Sequence, residues 1–186
     1  YIFIMDASTL SSEVHYLSAK EPLGAFKLFS PRQKNELYII YDGEDRFFVL
    51  TNWKAQNFRL MEVDKKKTQK KNWKELVAHR KDVFLEGVKV FKNYIVLSER
   101  TKGSTQLEVV KRGETKGALI DFPDPAYSVS LETNVNYDTP SLRYDFISMN
   151  RPYSIYEYDF EKKESKLLKE KEYPGYNSDE YASERL

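Results

Sequence analysis

Short runs of aromatic and β-branched residues return along this chain at a near-constant interval, and that recurrence limits the fold more than any single segment does. Phe47-Phe48-Val49-Leu50-Thr51, Tyr94-Ile95-Val96-Leu97-Ser98 and Arg143-Tyr144-Asp145-Phe146-Ile147-Ser148 align when Thr51, Ser98 and Ser148 are taken as equivalent, at offsets of 47 and 50 residues. Ile2-Phe3-Ile4-Met5-Asp6 fits one period earlier. After each anchor come a polar loop, a second run (14–17, 58–63, 107–110 and 155–160), a charged turn and a further run. Runs of this composition between polar turns are predicted β-strands. Leu37 to Tyr41, the turn Asp42-Gly43-Glu44-Asp45, and Phe47 to Leu50 together predict a hairpin. From Ser154 to Phe160 the chain alternates, with Tyr156, Tyr158 and Phe160 on one face and Glu157 and Asp159 on the other. The only helix candidates, 73–80 and 179–184, are too short to outrank strand or coil.

A repeat of 40 to 50 residues built from about four strands is the mark of a β-propeller blade, whose neighbours cover faces that one sheet cannot hide alone. The fold class is therefore all-β: a propeller domain over residues 1–186 with about four blades of four antiparallel strands, anchored near 1–6, 47–51, 94–98 and 143–148. Propellers have four to eight blades, so the chain is either a small closed ring or part of a larger one. A β-sandwich made from the same strands is the rival architecture.

Composition removes whole classes of function. The chain's 186 residues suffice to bury roughly seven tenths of the extended-chain surface. Thirty Lys and Arg against 29 Asp and Glu leave a net charge of +1, too small a field to draw the chain onto nucleic acid or an anionic membrane. The absence of cysteine excludes disulfides, thiolate metal sites and thiol nucleophiles. It fits cytosol and periplasm alike, with the cytoplasm taken as the expected compartment. No apolar run exceeds five residues, against the roughly 20 of a membrane-spanning helix. The opening Tyr1-Ile2-Phe3-Ile4 reads as a strand already under way, as if cut from a longer chain.

Candidate chemistry is sparse. None of the seven glycines belongs to a Gly-x-Ser-x-Gly elbow, and only His15 and His79 could act as a base. Two histidines 64 positions apart form no metal cluster. Asp42 to Asp45 lacks the remaining alternating oxygen ligands of a calcium loop and reads as a solvated hairpin turn. No glycine-rich phosphate cradle is present, so no cofactor, metal or catalytic residue is assigned. Lys65, Lys66, Lys67, Lys70 and Lys71 could form an anion patch, but they fall where the repeat requires a strand-to-strand turn and are expected to form a solvated tip that opposes edge pairing. With Trp73 as the only close aromatic, a stacking platform for single-stranded nucleic acid is missing. The 14 Tyr and 11 Phe suit core and inter-blade packing better than carbohydrate binding.

A series of local motifs is more specific. Trp73-Lys74-Glu75-Leu76, Leu85-Glu86-Gly87-Val88, Glu99-Arg100 with Gly103 and Leu107, and Asp124-Pro125-Ala126-Tyr127 occur in this order. Leu142-Arg143-Tyr144 with Ser148-Met149, then Lys171-Glu172-x-Pro174-Gly175-Tyr176 and Tyr181-x-Ser183-Glu184-Arg185, complete the series. In order and spacing they resemble the propeller of the oligopeptidase B (protease II) group of the prolyl oligopeptidase family, specifically from Trp73 onward and with weaker motifs before it. The resemblance implies a seven-bladed propeller capping an α/β-hydrolase domain that carries a Ser-Asp-His triad and cuts peptides after basic residues. It also implies that Leu186 lies near the junction between the two domains.

The chain departs from that plan in having about four blades and no hydrolase portion. The resemblance therefore implies a fragment that gates access for peptide substrates, partners a C-terminal hydrolase domain and carries no catalytic residues. Glu99, Arg100 and Arg143 are candidate polar contacts to that domain, with surface ion pairing as the alternative. Unsealed blade faces at either end imply self-association of the fragment. A free-standing propeller-type module that binds proteins or peptides is the competing functional reading.

Overall fold

The computed structural model describes residues 1–185, so the expected junction at Leu186 lies outside the described residues. The chain divides into two compact units, Tyr1–Leu85 and Glu86–Leu186. In the first unit, β1 (Ile2–Ala7), β2 (Ser12–Leu17) and β3 (Lys27–Leu28) form a three-stranded antiparallel sheet. A four-stranded sheet follows, made of β4 (Tyr38–Asp42), β5 (Arg46–Thr51), β6 (Arg59–Asp64) and β7 (Lys74–Val77). A single 3-10 turn, Lys70–Asn72, lies between β6 and β7.

The β4–β5 hairpin closes where its turn chemistry demands. Gly43 N–H donates to the Arg46 carbonyl at 2.9 Å, and the Asp42 side chain accepts from the Glu44 amide at 3.0 Å. A Cβ on Gly43 would stand 2.3 Å from Phe48 Cε2, so only glycine lets the turn lie against that ring. From Phe47 onward β5 is buried at every position, which is why its sequence is continuously apolar instead of alternating.

One aromatic cluster joins the two sheets of this unit. Phe47 is fully buried, with the rings of Tyr1, Tyr16 and Phe29 at centroid distances of 5.1, 5.5 and 5.6 Å, all edge-on. Tyr38 stitches the sheets through polar groups. Its hydroxyl donates to the Ser30 carbonyl at 2.6 Å and accepts from the Val14 amide at 2.9 Å, while Ser12 Oγ bridges the Tyr38 amide and carbonyl. Burial pushes the Tyr38 hydroxyl pKa up, so it remains a donor.

β8 (Val83–Val90) contains the boundary between the units. It joins β9 (Tyr94–Thr101), β10 (Ser104–Lys111) and β11 (Ala118–Leu119) in a second four-stranded sheet. The last sheet comprises β12 (Tyr127–Leu131), β13 (Ser141–Ser148), β14 (Ser154–Asp159) and β15 (Glu164–Glu170). In the second unit Phe91, Val96, Leu107, Val109 and Ile120 pack against Val129, Leu142, Tyr144, Phe146, Tyr158 and Phe160 of the following sheet. Tyr94 stacks on Phe160 at 4.4 Å, so part of the aromatic content does pack sheet on sheet.

The anchor runs lie on β1, β5, β9 and β13. In the three four-stranded sheets the anchor is the second strand, paired on both sides; the sheet opening with β1 has three strands where four were expected. Each sheet consists of consecutive strands and none crosses to another sheet, in contrast to the Greek-key connections of a sandwich. The architecture is all-β and propeller-like. The candidate helix at 73–80 is largely strand β7, because pairing of Val77 with Leu60 and of Glu75 with Met61 extends the sheet. The candidate at 179–184 is a single 3-10 turn, Ser178–Glu180, capped by the Asn177 side chain.

Two substitutions test this packing. Phe47→Ala is expected to lower stability by about 3–5 kcal/mol, because it leaves a cavity among the rings of Tyr1, Phe3, Tyr16 and Phe29, read as a fall in the urea midpoint. Gly117→Ala would place a Cβ 2.1 Å from the Val109 carbonyl oxygen and drive apart the pairing of β10 with β11. Amide exchange at Ile120, which donates to the Leu107 carbonyl at 2.9 Å, is expected to accelerate in that variant.

Candidate functional site

Buried polar groups in the second unit gather around the turn between β13 and β14. Asp124, 8 % exposed, accepts from Ser148 Oγ at 2.7 Å and lies 3.1 Å from Arg151 Nε. Asn150 Nδ2 reaches Asp124 Oδ1 at 3.5 Å and the Tyr181 carbonyl at 3.4 Å. Ser148 Oγ also accepts from the Arg151 amide at 3.0 Å, which tightens the turn. One carboxylate thus fixes the end of β13, the turn, and through Asn150 the segment after β15.

That segment lies across the turn. Lys171 N–H donates to the Tyr153 carbonyl at 2.9 Å, and the Tyr176 hydroxyl donates to the Asn150 carbonyl at 2.7 Å. Tyr176 and Tyr181 stack at 5.3 Å. Further along, Arg185 Nη1 donates to Ser104 Oγ at 2.6 Å, beside Gly103 in the β9–β10 turn. Gly103 has φ of +80°, and a Cβ there would stand 3.3 Å from Arg185 Nη2. The positive φ favours glycine here, and the Arg185 guanidinium lies close against it.

Gly103, Asp124, Ser148, Met149, Tyr176, Tyr181 and Arg185 come from five separate motifs of the sequence, and the contacts above link them along the stretch after β15 and the turn beneath it. Asn150, Arg151 and Tyr173 belong to the same region but had no local signal. Above the turn an open cavity of about 370 Å³ is lined by Ile147, Met149, Pro152, Tyr153, Tyr173 and Tyr176, together with the turn residues Ser148, Asn150 and Arg151. Met149 is 88 % exposed, and the tyrosines are partly exposed. The Tyr153 hydroxyl donates to Glu132 at 2.7 Å, and that carboxylate pushes its pKa up to about 12. The phenol stays protonated, and its hydrogen bond persists, throughout the neutral range.

The remaining candidates separate. His15 pairs with Ile4 and Leu28 across the first sheet, and His79 lies in the loop between β7 and β8. Asp42 receives the Lys65 ammonium as well as the Glu44 amide. The lysine run differs from a solvated tip in two places. Lys65 binds Asp42 and lies 4.8 Å from the Tyr1 ring centroid, while Lys70 pairs with Glu36 and sits over Trp53 and Trp73. Carboxylate and ring faces together offset the desolvation of these two ammonium groups, whereas Lys66, Lys67 and Lys71 are exposed. Glu99 is fully buried and accepts from Gln106. Arg100 pairs with Glu86 and Arg143 with Glu157, in each case between strands of the same sheet.

Asp124→Asn removes the charge facing Arg151 and is expected to cost roughly 1.5–3 kcal/mol, with faster amide exchange across 172–181. Unchanged exchange in that stretch would show that Asp124 does not hold it.

Residues 1–171 match the family described as prolyl oligopeptidase, N-terminal β-propeller domain. The chain is 34 % identical to dipeptidyl aminopeptidase BI of Pseudoxanthomonas mexicana, with all of this chain and 26 % of that protein aligned. It is 26 % identical to Protease 2 of Moraxella lacunata over the same shares. Its fold matches oligopeptidase B of Leishmania major with a TM-score of 0.87 at 24 % identity, covering 99 % of this chain and 28 % of that one. Oligopeptidase B of Trypanosoma brucei, in a closed form with covalently bound antipain, also gives 0.87 at 26 % identity, covering 95 % and 27 %. The chain spans about a quarter of the length of these relatives. The match over 1–171 places the chain in the prolyl oligopeptidase family, as part of its N-terminal β-propeller domain.

Proposed function

We propose that this chain belongs to the propeller of a serine peptidase, where it restricts access to an active site on a separate hydrolase domain and supplies none of the catalytic groups. The observation that carries the reading is the continuous match of residues 1–171 to the family's propeller. The mechanism is geometric. Sheets packed through aromatic clusters such as those around Phe47 and Phe160 resist deformation, so a passage bounded by them admits flexible peptides and turns away folded proteins. Closing such a cap over a hydrolase also excludes water from the reaction. The relatives are about four times as long as this chain, which favours a cap within a larger enzyme over a free-standing binding module.

For the whole protein we propose cleavage of peptides after basic residues, supported by the similarity to Protease 2 and to oligopeptidase B, and we take the cytoplasm as its compartment. A second reading, release of dipeptides from free amino ends, is favoured by the 34 % identity to a dipeptidyl aminopeptidase.

The full-length protein distinguishes these readings. A fluorophosphonate probe is expected to label one serine outside the 186 residues. A blocked arginyl substrate is expected to turn over at least about tenfold faster than its neutral counterpart, with the same bond spared inside a folded protein. Turnover restricted to substrates with a free amino-terminal dipeptide would establish the second reading, and absence of serine labelling would overturn both.

A further inference from the structure

The open cavity over the β13–β14 turn is lined mainly by apolar surface, and most of the polar groups beside it already have partners. The Tyr153 and Tyr176 hydroxyls bind Glu132 and the Asn150 carbonyl. Ser148 and Arg151 face Asp124, and the Lys171 ammonium lies 5.0 Å from the Tyr173 ring centroid. Arg151 Nε, ion-paired with Asp124 but making no hydrogen bond, and the Lys171 ammonium, set against a ring face, are the exceptions. What remains open is ring faces and aliphatic surface: Met149 at 88 %, Tyr173 at 50 %, Ile147 at 42 %, Tyr176 at 39 % and Tyr153 at 38 % exposure. Scattered apolar residues are ordinary on a protein surface, but a contiguous group around a preformed cavity marks a docking site.

The course of the chain points to the occupant. The family's propeller match ends at residue 171, and the stretch beyond it runs over this same face, held by Tyr176 and Tyr181. We propose that this cavity is where the propeller docks onto the hydrolase domain, accepting an apolar side chain from that domain between Met149 and the tyrosines. The inference rests on the two-domain reading above and gives it a specific contact. Docking there clamps the cap at the turn that Asp124 holds rigid. It differs from the charged contacts expected of Glu99, Arg100 and Arg143, which are buried or paired within their own sheets.

Methionine oxidation tests the proposal on the unmodified full-length protein, because thioether reactivity follows exposure. Met61, 3 % exposed, serves as the internal protected standard. With dilute hydrogen peroxide and peptide mapping, Met149 is expected to oxidise about tenfold more slowly than N-acetyl-methionine amide in the same mixture, close to Met61. Oxidation within twofold of the free amide would overturn the proposal. Protection that appears only at high protein concentration would assign the face to a second copy, and protection only with added peptide would assign it to substrate; either outcome overturns it. Fluorophosphonate labelling of the same sample separates the two levels. A labelled protein with reactive Met149 defeats the docking contact alone, whereas an unlabelled one with reactive Met149 defeats the two-domain reading as well.

Discussion

A four-stranded antiparallel sheet of this composition has two faces to hide, and a single neighbour hides only one. This requirement explains why β5 and β9, each paired on both sides, carry continuous apolar runs, Phe47 to Leu50 and Tyr94 to Leu97. β5 is buried at every position after Arg46, and β9 buries four of its eight residues, Ile95, Val96, Leu97 and Glu99. It also explains how the sheets join: through rings large enough to bridge the gap between layers, with Phe47 central in one unit and Phe160 in the other. Polar stitches such as Ser12 to Tyr38 then fix the register of contacts that apolar burial alone leaves loose.

The strands were legible because their signals are local. A Gly-containing turn between two apolar runs specifies the β4–β5 hairpin, and strict alternation from Ser154 onward specifies β14. The period then converts strands into sheets. What could not be read depends on residues distant in sequence. Lys65 is one of five similar lysines until the fold sets it beside Asp42, 23 positions earlier, and nothing nearby separates Lys70 from Lys71 except the position of Glu36. Asn150 and Arg151 look like ordinary turn residues, and their importance comes from Asp124, on a loop that precedes β12.

The family motifs behave differently again. They can be identified one by one in the sequence, but their common cause is spatial. Gly103 makes room for Arg185, Ser148 caps Asp124, and Tyr176 and Tyr181 stack over the turn that Asn150 organises. Residues that look like independent landmarks thus constrain one another, and substitution at any of them is felt by the rest of the region.

The stretch from Lys171 to Arg185 is tied at separated points to both sheets of the second unit: at Tyr153 and Asn150 beside β14, and at Ser104 on β10. Release of the stretch at one of these points leaves the others holding it, so lifting it away altogether requires contacts to both layers to break.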